Sequence, residues 1–185
     1  MTISLYPSVR RADEQAAGKS FRPGRVLLAA LVAALLCSLP AKAQITLSGE
    51  VASPLTLTTA ELDAMPHTEV KATDHDGKKR RYSGIPLTDL LKRAGVAQGA
   101  QLRGKNLTKY LLVKAADGYE AVFALPELDP EFADRPVLLV DKADGEPLPK
   151  SVGPYRLVVP GEKKQARWVR QVTVLEVRNA KMPQP

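Results

Sequence analysis

Residues Glu69 to Gly95 read EVKATDHDGKKRRYSGIPLTDLLKRAG, and this stretch decides the fold class. Glu69 to Thr73 and Lys79 to Tyr82 flank Asp76-Gly77, a dipeptide that tolerates positive φ and so closes a hairpin. Directly after the hairpin, Pro86 presets φ at a first helical position. Leu87, Leu90 and Leu91 then share one face, and Gly95 stops the helix. A hairpin running straight into a short amphipathic helix is α+β material.

The same punctuation extends in both directions. Ile45 to Val51 alternates apolar with small or polar residues, the period of a half-buried strand. Leu55 to Leu57 reads as a second strand. Thr58 with Glu61 three positions on forms a capping box that starts a helix ending before Pro66. Downstream, Tyr110 to Ala115 and Tyr119 to Ala124 are strands joined through Ala116-Asp117-Gly118. Val137 to Asp141, Leu157 to Val159 and Val169 to Val177 complete the set. Short strands dominate and no linker interrupts them, so residues 44–185 are expected to form one β-rich, mixed α+β domain.

The chain has 185 residues and 27 basic against 20 acidic side chains. Six of the basic groups and two of the acidic ones lie in residues 1–43, which leaves 21 against 18 over the remaining 142, a net of +3. That near-balance argues against a dedicated nucleic-acid binder. Val26 to Cys37 is an unbroken apolar run behind Arg22 and Arg25, and Ala41-Lys42-Ala43 follows as a small-x-small cleavage site. A run of 12 residues is shorter than the roughly 20 a membrane-spanning helix needs. Residues 1–43 therefore read as a signal peptide, with Gln44 the new N-terminus, a periplasmic or secreted location and no stable membrane span after cleavage. Arg10-Arg11 does not make a twin-arginine signal, because Ala-Asp-Glu follows it and the apolar run lies 14 residues further on. Cys37, the one cysteine, falls inside the leader, so the mature chain has no thiol to act as nucleophile, disulfide partner or metal ligand.

Hydrolase and nucleotide-binding chemistry find no support: a Gly-x-Ser-x-Gly elbow and a phosphate-binding P-loop are both absent. His67 and His75 are the two histidines. Asp74, His75 and Asp76 would alternate faces in an extended segment, so a surface loop is the better reading than a metal site. Lys78 to Arg81 reads as a solvated strand edge that discourages foreign pairing.

Taken in series, several segments resemble the molybdopterin-binding domain of the sulfite oxidase family. They are LSGEV at residues 47–51, YSGIPLTDLL at 82–91, ADGY at 116–119, DGEPLP at 144–149, GPYRLVVP at 153–160 and RWV at 167–169. The family's catalytic members bind molybdenum through a cysteine in the region that here reads Thr73 to Gly77, with the ligand position at or near Asp76. A cofactor-contacting histidine of the family is replaced here by Ser151 or Val152. The resemblance thus implies the fold, whereas the missing sulfur speaks against molybdenum chemistry.

A closer resemblance is to small secreted members that lack the cysteine and bind free pterins. These report to a membrane-bound enzyme that makes or degrades cyclic di-GMP. That resemblance implies an exported, non-catalytic pterin sensor with no required cofactor, whose partners are a pterin and the periplasmic domain of a membrane signalling protein. It implies a ligand-binding set of Asp117, Tyr119, Tyr155, Arg156, Arg167 and Trp168. Trp168 and Tyr119 would stack the flat ring, Asp117 would meet its polar edge, and Arg156 and Arg167 would hold anionic or carbonyl groups, with Tyr155 a neighbour. Each also has a plain alternative: Trp168 as a core or rim aromatic, Asp117 and Tyr119 as turn residues, Arg156 as an ion-paired structural arginine. Molybdopterin-dependent oxidoreduction and a structural module with a closed pocket are the competing functions.

Overall fold

The computed structural model describes residues 44–180; the leader expected over residues 1–43 lies outside the described residues. Two five-stranded sheets carry the fold. In the first, β1 (Gln44–Gly49) pairs antiparallel with β2 (Leu55–Thr58) and parallel with β10 (Val172–Asn179). Next to β10 lie β5 (Lys109–Ala115) and β6 (Glu120–Ala124), in the order β2-β1-β10-β5-β6. The second sheet runs β3 (Thr68–Thr73), β4 (Lys79–Pro86), β7 (Leu138–Ala143) and β8 (Glu146–Pro147), with β9 (Arg156–Val158) also pairing β7. The expected β-rich α+β class is the observed one.

Local chemistry explains most of these elements. Helix α1 (Thr59–Asp63) opens on the expected capping box: Thr58 Oγ1 accepts from Glu61 N–H and the Glu61 carboxylate accepts from Thr58 N–H at 2.8 Å. Helix α2 (Leu87–Arg93) buries Leu87, Leu90 and Leu91, and Gly95 follows at φ +72. Pro86 stands one place earlier than expected, as the last residue of β4 and the cap of α2 rather than its first helical residue. Helix α3 (Leu125–Leu128) is a single turn after β6. The expected hairpin is β3–β4, in register from Thr68↔Gly84 to Thr73↔Lys79.

One expected strand is corrected. The last strand begins at Val172, not Val169, because residues 168–172 spend their hydrogen bonds elsewhere. Leu157 N–H donates to Val169 O, Gln171 N–H to Val152 O and Val172 N–H to Tyr155 O, while Gln171 adopts φ +48. A 3₁₀ turn, Gln165–Arg167, precedes this segment, so Trp168 sits on a connection rather than at the start of a strand. That connection joins the 152–157 segment to β10 and thereby links the two sheets. Around it one apolar core gathers Ile45, Leu47, Phe123, Leu139, Leu157 and Leu175 among others. Among the described residues, no helix is long and apolar enough to cross a membrane.

Candidate ligand groove

Asp74 follows β3 directly and opens the hairpin turn: Asp74 N–H donates to Lys78 O and Gly77 N–H to Asp74 O. The expected surface loop holds for His75 and Asp76 but is corrected for Asp74, which is only 6% exposed. It is buried among six polar atoms that converge on it. Oδ1 accepts from His75 N–H at 2.8 Å and from Arg156 Nη2 at 3.0 Å, with His75 Nδ1 at 2.9 Å. Oδ2 accepts from Tyr82 OH at 2.7 Å and Arg156 Nη1 at 3.1 Å, with Arg80 Nη1 3.2 Å away. Burial opposes ionisation of this carboxyl, but the hydrogen bonds from Arg156, His75 and Tyr82 outweigh it and hold it well below the usual carboxylate range. The same burial, with the bond to Asp74, pushes the Tyr82 phenol up to about 12.

Arg156 enters this corner from β9 and is itself buried. Its guanidinium lies over the Trp168 indole at 5.0 Å and faces the Tyr82 ring at 5.8 Å, while Tyr82 and Trp168 meet edge to face at 5.7 Å. Trp168 Nε1–H donates to Val159 O at 3.1 Å. No ligand-sized gap separates Arg156 from Trp168; they form one packed stack with Tyr82.

Two clefts flank the stack. The first, about 280 Å³, is lined by Asp117, Tyr119, Gln165, Ala166, Trp168 and Arg170 among others. Tyr119 is half exposed, yet its hydroxyl donates to Ala166 O at 2.7 Å, and its N–H donates to Asp117 Oδ1 at 2.9 Å. The β5–β6 turn therefore orients Asp117, and Tyr119 forms a wall against the 165–168 turn. The second cleft, about 340 Å³, includes Asp74, Arg80, Ser151, Val152, Arg156 and Arg170 in its walls. Arg170 borders both clefts and, among the described residues, contacts no carboxylate, unlike Arg80 and Arg156. The sequence reading missed it: one exposed arginine beside a tryptophan carries no pattern of its own.

The six expected ligand residues are thus distributed. Asp117, Tyr119 and Trp168 share the first cleft, and Arg156 borders the second. Tyr155 lines a third cleft, with Thr59, His67 and Asp141, and burial raises its phenol. Arg167 points the other way: it lies over Phe123 at 4.5 Å and pairs with Glu127 at 2.9 Å and with Glu162. Arg167, committed to two carboxylates, is not among the residues that line the cleft of Trp168. No group of three His, Cys, Asp or Glu side chains that could hold a metal ion occurs among the described residues.

Comparison with known proteins agrees with this architecture. No curated protein matches the chain. Among solved structures, the sulfane dehydrogenase SoxCD from Paracoccus pantotrophus superposes with a TM-score of 0.59 at 24% identity, covering 73% of this chain and 38% of that one. The likeness is one of fold, and the chain spans well under half the length of that relative. The family model for the oxidoreductase molybdopterin binding domain matches residues 34–184, nearly the whole chain. By that match, and by the two sheets and connecting segment just described, the chain belongs to the family of oxidoreductase molybdopterin-binding domains of the sulfite oxidase type.

Proposed function

We propose that this chain is a non-catalytic member of its family that binds a free pterin or a closely related flat heterocycle in the groove beside Trp168. The observation that carries the proposal is the donor set. The region where the family resemblance places a sulfur ligand offers two carboxylates, Asp74 and Asp76, both engaged by arginines; Arg80 Nη2 lies 2.6 Å from Asp76 Oδ2. Hard oxygen donors already neutralised by guanidinium suit a soft, thiolate-preferring metal poorly. The sequence places its one cysteine at residue 37, far from this loop. The residues present do not fit a molybdenum centre, and no chemical step is derived through one.

A flat heterocycle does fit the first cleft. Tyr119 supplies an aromatic wall, Trp168 closes the floor, and Arg170 offers a free guanidinium at the rim. Asp117 Oδ1 already holds Tyr119 N–H, which leaves Oδ2 for the amine-and-amide edge of a pterin. The stacking role thereby shifts mainly to Tyr119, since Trp168 is only 4% exposed and one face is covered by Arg156.

Exported by its leader, the protein would report the bound pterin to the periplasmic domain of a membrane enzyme that makes or degrades cyclic di-GMP. The resemblance to small secreted pterin binders supports this role. Two experiments test the reading. Titrating the mature protein with a reduced pterin should quench the fluorescence of Trp168, the sole tryptophan. Asp117→Asn should weaken binding about tenfold, the value of one buried pairing. Absence of quenching up to millimolar ligand would rule out the ligand class, and stoichiometric molybdenum in natively purified protein would replace it with oxidoreductase chemistry. In cells, cyclic di-GMP levels should respond to added pterin only when this protein is present.

A further inference from the structure

The three guanidiniums of the second cleft are not equivalent. Arg156 gives both terminal nitrogens to Asp74. Arg80 gives both of its terminal nitrogens to Asp76, at 2.9 and 2.6 Å, with Nη1 also 3.2 Å from Asp74 Oδ2. Arg170 meets no carboxylate among the described residues. Around the Asp74 carboxylate stand two guanidiniums, the Tyr82 hydroxyl, a backbone N–H and an imidazole nitrogen. Convergent, charge-assisted donors of this kind around one small planar anion are what a protein assembles to capture an external oxyanion. Here they border an open cleft of about 340 Å³.

We propose that Asp74 is a tethered anion filling an oxyanion site made by its own chain, and so a specificity-determining residue that closes the Arg156 corner of the second cleft to anionic ligands. A ligand reaching from the first cleft into the second is then admitted only by a neutral part, and any acidic substituent must project toward Arg170, which borders both. A buried guanidinium needs a counter-charge, because an unpaired charge in a low-dielectric site is costly. Asp74 supplies it permanently, and an approaching phosphate would meet that carboxylate instead of a free cation. The depressed carboxyl of Asp74 keeps the corner closed across the physiological pH range. Its bearing on specificity rests on the proposed ligand site in the adjoining first cleft, but its test uses no pterin, so the two can fail separately.

The probe is inorganic phosphate, followed by calorimetric titration at constant ionic strength. To remove binding at the free rim arginine, Arg170→Gln serves as the background. That protein is expected to bind no phosphate saturably. Adding Asp74→Asn should create a saturable phosphate site, and a further Arg156→Gln should abolish it. Asp74→Ser, which also vacates the carboxylate volume, is the second variant should the Asn protein lose its near-UV circular dichroism. Saturable phosphate binding by Arg170→Gln alone overturns the proposal, and that measurement needs no change at Asp74. Folded Asp74 variants that bind no better than their parent overturn it as well, leaving Asp74 a purely structural counter-ion.

Discussion

Asp74 and Arg156 are 82 positions apart in sequence, yet their charges meet at 3.0 and 3.1 Å, both side chains buried. Removing one partner leaves the other charge buried and unpaired, so Asp74→Ala should cost about 3–5 kcal/mol in urea unfolding. Asp74→Ala combined with Arg156→Met should cost less than the sum of the two single changes, because neither charge then remains. The pH dependence has a definite sign. Asp74 is ionised more readily in the folded than in the unfolded chain, so its contribution is present above the ordinary carboxylate range and declines as pH falls below about 4. Between pH 7 and pH 3 wild-type stability should therefore fall more steeply than that of Asp74→Asn, as unfolding at both pH values would show. Tyr119→Phe deletes the strut to Ala166 O and should weaken pterin binding two- to tenfold, the range of one net hydrogen bond.

Strand β4 supplies Tyr82 to that corner, and Gly84 is what allows β4 to lie so close to β7. A Cβ on Gly84 would meet Leu139 O at 2.3 Å and Val140 Cα at 2.5 Å, both backbone atoms that cannot swing aside. The register between β4 and β7 shifts between Ser83 and Gly84, at the same close approach. Gly84→Ala should destabilise by about 1–3 kcal/mol, toward the upper end because the obstruction is main chain. It should also displace Tyr82, which is measurable as a fall in the phenol pKa toward its ordinary value when the bond to Asp74 lengthens. Elements of this sort divide by how legible they were. The capping box at Thr58, the Asp76-Gly77 hairpin and the leucine face of α2 are local patterns, and each formed where the sequence placed it. The late start of β10 was not legible: Val169 has strand character, but its carbonyl is claimed by Leu157 N–H from a distant segment.

Across the whole molecule, residues 168–172 tie the 152–157 segment to the sheet that carries β10, and Tyr119 pins the β5–β6 turn to residue 166. Ligand binding in the first cleft should therefore slow amide hydrogen exchange at residues 117–119 and 165–171 together, with little change in the β1–β2 pair. Protection confined to one of the two segments would mean that the cleft is not closed by a common ligand.

The amino-acid sequence alone determined the β-rich α+β class, the hairpin and caps, the family likeness and the lack of a thiol in residues 44–185, because these depend on composition or on contacts a few residues apart. It also pointed to Asp117, Tyr119 and Trp168, which share a cleft. Only the tertiary structure decided that Arg167 turns away to Glu127 and Glu162, that Arg156 is already neutralised, and that Asp74 neutralises it. Those outcomes depend on which charges come within bonding distance once the chain is packed. Packing of segments dozens of residues apart sets that distance, and no local pattern records it.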